Sequence, residues 1–259
     1  MSSPVKPLKA LGQHFLNSRE IAERIASSLS FNGAYHQVLE IGPGTGVLTG
    51  LLFQHPGISY YGMDVDERSV AYLEANYPEL KGKIILDDFL KADLGFLGNA
   101  PFAAIGNFPY NISSQILFRV LDYYERIPEV VGMFQKEVAE RIASPPGSRD
   151  YGILSVFLQA HYDIEYLFSV PPEVFIPPPK VQSGVIRLQL KEDHQLQCRP
   201  ETFRRVVKTG FNQRRKTLRN SLKSIQNPDF APLPYGDLRP EQLHFSQFVE
   251  MARIIDSWK

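Results

Sequence analysis

The chain of 259 residues contains a single cysteine, Cys198. One thiol excludes an internal disulfide and leaves too few thiolates for a structural zinc site, so no metal centre is expected. No apolar run approaches the roughly 18 residues of a membrane span, which argues against a membrane partner. The N-terminal stretch MSSPVKPLKALGQHFLNS lacks the apolar core of a signal peptide. Net charge is absent too, because 28 Lys and Arg offset 28 Asp and Glu, and bulk charge therefore names no partner. These absences describe a soluble protein of a reducing compartment, expected in the cytoplasm and, by default, monomeric. What is present suffices for a core: 43% of residues are hydrophobic and 22% charged, at a length that allows one large domain and a small one.

The charge balance hides an asymmetry. Residues 199–223 hold nine basic side chains and one acid, Glu201, a local excess of eight positive charges on an otherwise acidic chain. Such a split predicts a basic patch for a polyanion.

The first segment reads as a short basic arm followed by a helix from about Ser18. Asn17 and Glu20 are spaced as a capping box, and Ile21, Ile25 and Leu29 recur at helical spacing. From residue 37 strands and helices alternate. Strands are predicted at 37–41, 58–63, 83–86, 102–107 and 129–135, with helices at 45–54, 67–77, 113–124, from Lys136, and at 151–162. Two further strands, 163–170 and 181–190, flank the proline-rich loop PPEVFIPPPK. The alternation predicts an α/β fold with a seven-stranded, mostly parallel sheet covered on both faces. The last two strands have no helix between them, so one edge strand should be antiparallel. The strand pattern stops near 195. The segments 197–208, 214–225 and 247–258 read as helices of a small all-helical C-terminal domain, giving boundaries of 1–195 and 196–259.

In such a sheet ligands sit at the carboxyl ends of the strands. After the first strand comes Gly42-Pro43-Gly44-Thr45-Gly46, whose glycines let the backbone pass close to a ligand. A dinucleotide fingerprint would need glycine where Val47 stands. Asp64 ends the second strand, where a carboxylate can accept both ribose hydroxyls. Asp88 ends the third, placed for an adenine amino group, while Asp66 reads as a helix-start residue. Turn and capping roles would explain each feature alone. Three consecutive strand ends together point to an adenosine-containing cofactor, and S-adenosylmethionine fits better than NAD.

The fourth strand ends in Asn107-Phe108-Pro109-Tyr110. An adenine amino group is a poor nucleophile because its lone pair is delocalised into the ring. Two acceptors aimed at its N–H bonds, the Asn107 side-chain oxygen and the Phe108 backbone carbonyl, would help it pyramidalise toward a methyl donor. Pro109 would fix the turn and Tyr110 would stack on the base. Transfer from a sulfonium needs mainly positioning and no strong base. An ordinary Asn turn beside a packed tyrosine is the plainer alternative.

The segments GQHFL, VLEIGPGTGVLT, GMDVD, DDFL, GNFPYNIS, MFQKEVAERI, VPPEVFIPPPKVQSGVIRL and FNQRRKTLRNSL resemble the ribosomal RNA adenine N6-dimethyltransferase family, most closely its small-subunit (16S) branch. They cover the chain from about residue 11 to 222. The resemblance implies a class I methyltransferase fold with a helical C-terminal domain. It implies S-adenosylmethionine as cofactor, and 16S rRNA within the 30S subunit or its precursor as partner. It also implies dimethylation of two adjacent adenosines near the 3′ end of that RNA. By the same resemblance His14 and Leu16 would touch the cofactor from the arm, Gly42 would line its pocket and Asp64 would hold the ribose. Asp88 and Asn107 would complete that shell, and Phe175 would stack on the target base opposite Tyr110. His14 stands where the family usually has asparagine, and Phe108 where it more often has leucine.

The RNA side is expected in the basic segment. If 214–225 is one helix, Leu218, Leu222 and Ile225 share a stripe and Lys216, Arg219 and Lys223 fall roughly opposite, a cationic ridge for phosphates. Arg214 and Arg215 are expected to add RNA contacts, Arg214 by preceding the helix or turning away from its apolar side. A solvated helix face is the plain alternative. Three other activities compete: the sister enzymes that dimethylate one adenine of 23S RNA, an assembly factor whose binding matters more than catalysis, and a DNA adenine methyltransferase.

Overall fold

The computed structural model of the protein describes residues 5–258. Nine strands are named in chain order: β1 (Phe15–Leu16), β2 (Gln37–Ile41), β3 (Ser59–Asp64), β4 (Ile84–Leu86), β5 (Phe102–Asn107), β6 (Glu129–Gln135), β7 (Tyr162–Val170), β8 (Phe175–Ile176) and β9 (Ser183–Leu190). The helices are α1 (Arg19–Ala26), α2 (Thr49–Leu52), α3 (Glu67–Asn76), α4 (Ser113–Asp122), α5 (Lys136–Ala143), α6 (Ile153–His161), α7 (Pro200–Asn212), α8 (Leu218–Ser221) and α9 (Phe245–Ser257).

Seven strands form one sheet in the order β4-β3-β2-β5-β6-β9-β7. The first five in that order run parallel, as strand–helix–strand crossovers require, and β9 lies antiparallel to β6. The antiparallel strand is therefore not at the edge, as expected from the sequence, but one place in, with β7 outside it. Parallel neighbours are apolar on both faces: Val38, Leu39, Ala103, Ala104, Ile105, Val130 and Val131 are all fully buried. Strand order reverses direction between β2 and β5, which opens a crevice at their carboxyl ends.

Several local expectations shift. Ser18, not Asn17, caps α1, its side chain accepting from the Ile21 N–H. The helix expected at 45–54 keeps only Thr49–Leu52 as α-helix, because three glycines with positive φ occupy 42, 44 and 46 and turns follow them. The arm is not merely an extension: β1 pairs antiparallel with β8, Phe15 opposite Ile176 and Leu16 opposite Phe175.

The chain divides into two compact units, one of residues up to Ala139 with Glu165–Leu190, the other of Glu140–Ile164 with the chain from Lys191 on. The sequence put 140–164 in the first domain. Helix α6 explains the difference. Its buried Val156, Phe157 and Leu158 find their core in the second unit, where the Phe157 and Phe203 rings meet edge-on at 5.7 Å. In that unit α7 buries Phe203, Val206, Val207 and Phe211 and turns Arg204, Arg205 and Lys208 outward.

The basic segment after α7 is not one helix. Gln213 leaves helical geometry, and α8 spans only Leu218–Ser221. The reason lies in the backbone: the N–H groups of Leu218 and Arg219 donate to the carbonyls of Leu238 and Gly236 rather than to a preceding helical turn. Leu218 and Leu222 are still buried, as the apolar stripe required.

Candidate active site

The carboxyl ends of β2, β3, β4 and β5 open into a cavity of about 310 Å³ in the first unit. Gly42, Gly44, Asp64, Asp88 and His14 line it, together with all four residues of the Asn107–Tyr110 loop. Apart from His14, which comes in on the arm, these residues meet because each stands at the end of a strand of the same parallel set.

The glycine turn is built for close approach. Gly42 adopts φ +71° with nothing within 4 Å of where a Cβ would stand. Gly44, at φ +57°, has the Phe15 ring 2.8 Å from that point, so a side chain there would displace the arm. Asp64 is 7% exposed and holds the turn: its Oδ2 accepts from the Gly44 N–H at 3.0 Å and its Oδ1 from the Asp66 N–H at 2.9 Å. A carboxylate has about four acceptor positions, so two remain for hydroxyl groups. Burial raises its pKa against the backbone N–H groups of Asp66, Gly44 and Val65, which lower it. Asp88 accepts from the Leu90 N–H and pairs with Lys91 at 3.6 Å. Asp66 caps α3, and the Arg68 guanidinium holds its carboxyl down to about 2.

The arm forms a wall of this cavity. Gln13 Nε2 donates to Asp66 Oδ2 at 2.9 Å. Asn107 Nδ2 donates to the His14 carbonyl at 2.8 Å. A carbonyl only accepts, so this bond fixes which end of the amide is which and leaves Oδ1 available to a substrate. Phe108 is 1% exposed; its ring lies edge-on to Phe134 at 5.1 Å and fills space that Gly106 and Gly132 leave open. That packing accommodates the ring, and Phe108 is among the residues that line the cavity.

Leu16 and Phe175 go elsewhere. Both side chains lie in the hydrophobic core, paired across β1 and β8, and Phe175 is only 2% exposed. The base-stacking role implied for Phe175 therefore does not fit this structure. Side chains alternate along a strand, so pairing with Leu16 turns the Phe175 ring inward and leaves Ile176 outward at 53% exposure.

In the second unit Arg215, Lys216, Arg219 and Lys223 are exposed. Arg219 pairs with Asp237 at 2.8 Å. Arg214 is half-buried and turns away from the others, donating to the carbonyls of Arg149 and Tyr151. With Arg141 and Arg149 it lines an open groove of that unit. Among the described residues no group of His, Cys, Asp and Glu could hold a metal ion, and no helix is long and apolar enough to cross a membrane.

One buried group stands beside the glycine turn without a role in the chemistry above. Glu40, next to the glycine turn and 2% exposed, accepts from Thr49 Oγ1 at 2.7 Å and Tyr60 Oη at 2.6 Å. Burial pushes its carboxyl up to about 7. A Glu inside an apolar strand was the available clue.

A model of the ribosomal RNA adenine dimethylase family matches residues 6–256. The chain belongs to this family. Relatives in it include the ribosomal RNA small subunit methyltransferase A of Cytophaga hutchinsonii, 55% identical over 97% of this chain and 98% of that one. The protein of the same name from Parabacteroides distasonis is 56% identical over 96% and 94%. Among solved structures, a dimethyladenosine transferase from Plasmodium falciparum superposes with a TM-score of 0.78 over 92% of this chain and 96% of that one, at 24% identity. The 23S rRNA methyltransferase ErmE does so with a TM-score of 0.68 over 92% and 99%, at 26% identity. The fold is that of the class I methyltransferases, and the family implies S-adenosylmethionine as methyl donor.

Proposed function

We propose that the protein transfers methyl groups from S-adenosylmethionine to the N6 atoms of two adjacent adenosines near the 3′ end of 16S rRNA, in the 30S subunit or its precursor. The observation that carries this reading is the meeting of the Asn107–Tyr110 loop with the glycine turn and Asp64 around one cavity. The donor set fits the cofactor. Gly42 offers backbone with no Cβ in the way, Asp64 keeps acceptor positions for a ribose diol, and Asp88 stands at the next strand end for an adenine amino group.

S-adenosylmethionine, when bound, supplies a methyl group activated by a sulfonium. The chain's residues prepare the acceptor. Asn107 Oδ1 and the Phe108 carbonyl accept the two N–H bonds of the adenine amino group and turn its lone pair toward the donor. Pro109 keeps that carbonyl in place, and Tyr110 stacks on the extruded base. Each transfer would form an N6–CH3 bond as the S–CH3 bond breaks and release the amine proton to solvent; after the first, one N–H remains, held by one of the two acceptors for the second. His14 lies at the cavity from the arm side, and Leu16 supports the arm from the core.

Arg215, Lys216, Arg219 and Lys223 are the RNA-facing cations of the second unit, contacting phosphates and carrying no base specificity. Arg214 supports their segment from within. The small-subunit reading is favoured over the 23S one because relatives bearing the small-subunit name are 50–56% identical, against 26% for the 23S enzyme. The protein acts as a monomer in the cytoplasm, where its substrate is assembled.

The test uses the full chain, labelled methyl donor and unmethylated 30S and 50S particles. Digestion of the RNA is expected to yield N6,N6-dimethyladenosine from 30S alone. Label in 50S, or in duplex DNA added as competitor, would overturn the assignment.

A further inference from the structure

Tyr110 is held at two points by residues that the proposed chemistry leaves unused. Its hydroxyl lies 2.6 Å from Ser183 Oγ, and Ser183, the first residue of β9, is fully buried. Its ring is stacked with the His14 imidazole, centroids 5.6 Å apart and planes 24° from parallel. His14 is itself anchored, Nδ1 lying 2.7 Å from the Pro177 carbonyl. Because that oxygen only accepts, Nδ1 is the donor of this bond. The His14 backbone carbonyl meanwhile takes Asn107 Nδ2 at 2.8 Å.

These contacts converge on one purpose. A tyrosine side chain has two soft torsions, and a hydroxyl pinned at the far end of the ring removes freedom from both. The pin comes from the strand next to β6, so it is as rigid as the sheet. The imidazole then blocks part of one ring face and leaves the rest to a ligand.

We propose that Ser183 and His14 are positioning residues for methyl transfer. Together they lock the plane of Tyr110 on which the target adenine stacks, and His14 acts on the catalytic loop instead of on the cofactor. This inference rests on the function proposed above and deepens it. It makes the stretch from Pro177 to Ser183 a frame for the acceptor base: Pro177 and Ser183 each hold one side of the clamp. The step itself needs no further group, since Ser183 and His14 exchange no proton with the substrate.

The experiment compares Ser183→Ala, Tyr110→Phe, the double variant and His14→Ala in the full chain. Three readouts are taken: kcat and KM for unmethylated 30S subunits, the Kd for S-adenosylhomocysteine by calorimetry, and Tm. Tyr110→Phe keeps the stacking ring and removes only the pin. Each single variant is expected to lower kcat about 10-fold or more, in keeping with the cost of a misplaced reactant. The Ser183→Ala/Tyr110→Phe double should fall no further than either single, and Kd should stay within about twofold of wild type. A kcat within about twofold of wild type in Tyr110→Phe overturns the proposal, even where Ser183→Ala fails to fold. So does a double variant whose losses multiply, or a His14→Ala variant that weakens Kd about tenfold with kcat intact. A wild-type reaction that yields no N6,N6-dimethyladenosine would instead refute the function on which the clamp rests.

Discussion

In the first unit every candidate residue around the cavity stands at a strand end or on a chain segment tied to one. In the second the candidate residues lie on a segment of irregular backbone. The strand ends are positioned by the ladder hydrogen bonds of a parallel sheet, so Gly44, Asp64, Asp88 and Asn107 reach the cavity whatever the helices between them do. Segment 213–219 has no such frame, and its geometry is set by bonds from Leu218 and Arg219 to the carbonyls of Leu238 and Gly236 and from Arg214 to those of Arg149 and Tyr151. A site framed by a sheet tolerates shifts in helix length. A surface read from helical periodicity does not survive a broken helix.

The largest effect that tests this contrast is expected at Asn107. Replacing it with alanine should cost about 10²–10³-fold in kcat, the range seen when one fixed polar group is removed from a reacting centre, while cofactor affinity is unchanged. Single-turnover methyl transfer to 30S subunits beside calorimetric cofactor binding measures both.

Next comes the buried carboxyl beside the glycine turn. Glu40 has its folded pKa raised from 4.5 to about 7. The protonated folded form therefore stabilises the protein fully below pH 4.5, and this advantage is lost as the pH climbs through 7. By linkage the loss is on the order of 3 kcal/mol. Glu40→Gln should flatten the decline of stability between pH 5 and pH 8, followed by denaturant unfolding at each pH. An unchanged slope would assign the decline to Asp64.

A smaller effect is expected from Gly44→Ala. Positive φ and the Phe15 ring both oppose a Cβ there. A cost of about 1–3 kcal/mol in stability is expected, with weaker cofactor binding as the arm is pushed away. Thermal unfolding and calorimetry read the two parts.

The smallest effect should lie in the second unit. Reversing the charges of Lys216, Arg219 and Lys223 together should reduce the slope of log affinity against log salt by about 2, since Arg219 is already paired with Asp237. Arg214→Ala should leave that slope alone and lower Tm, because its side chain braces a loop. If Arg214→Ala changes the slope as much as the triple reversal does, the contrast between framed and surface residues fails.

The sequence and the structure agree where a residue's placement depends on a strand end, as at Asp64 and Asn107, or on buried periodicity, as at Leu218 and Leu222. They part where the outcome depends on partners distant in the chain. The pairing of Phe15–Leu16 with Phe175–Ile176 has no local signature, since two residues are too few to read as a strand. The same pairing sends Phe175 into the core. Helix α6 reads correctly as an apolar helix, yet which core it joins is decided by Phe203, far downstream. The break at Gln213 follows from carbonyls that no window around residue 213 contains.

The wall of the cavity is made from residues near the start of the chain, and the oxygen that anchors His14 belongs to a residue 163 positions later. On a ribosome adding about 5–20 residues per second, the arm emerges on the order of 10 s before its docking partner exists. A nascent chain thus carries its strand ends and its glycine turn before it carries a closed pocket. The ability to hold a methyl donor arrives late in translation, after most of the sheet has been made.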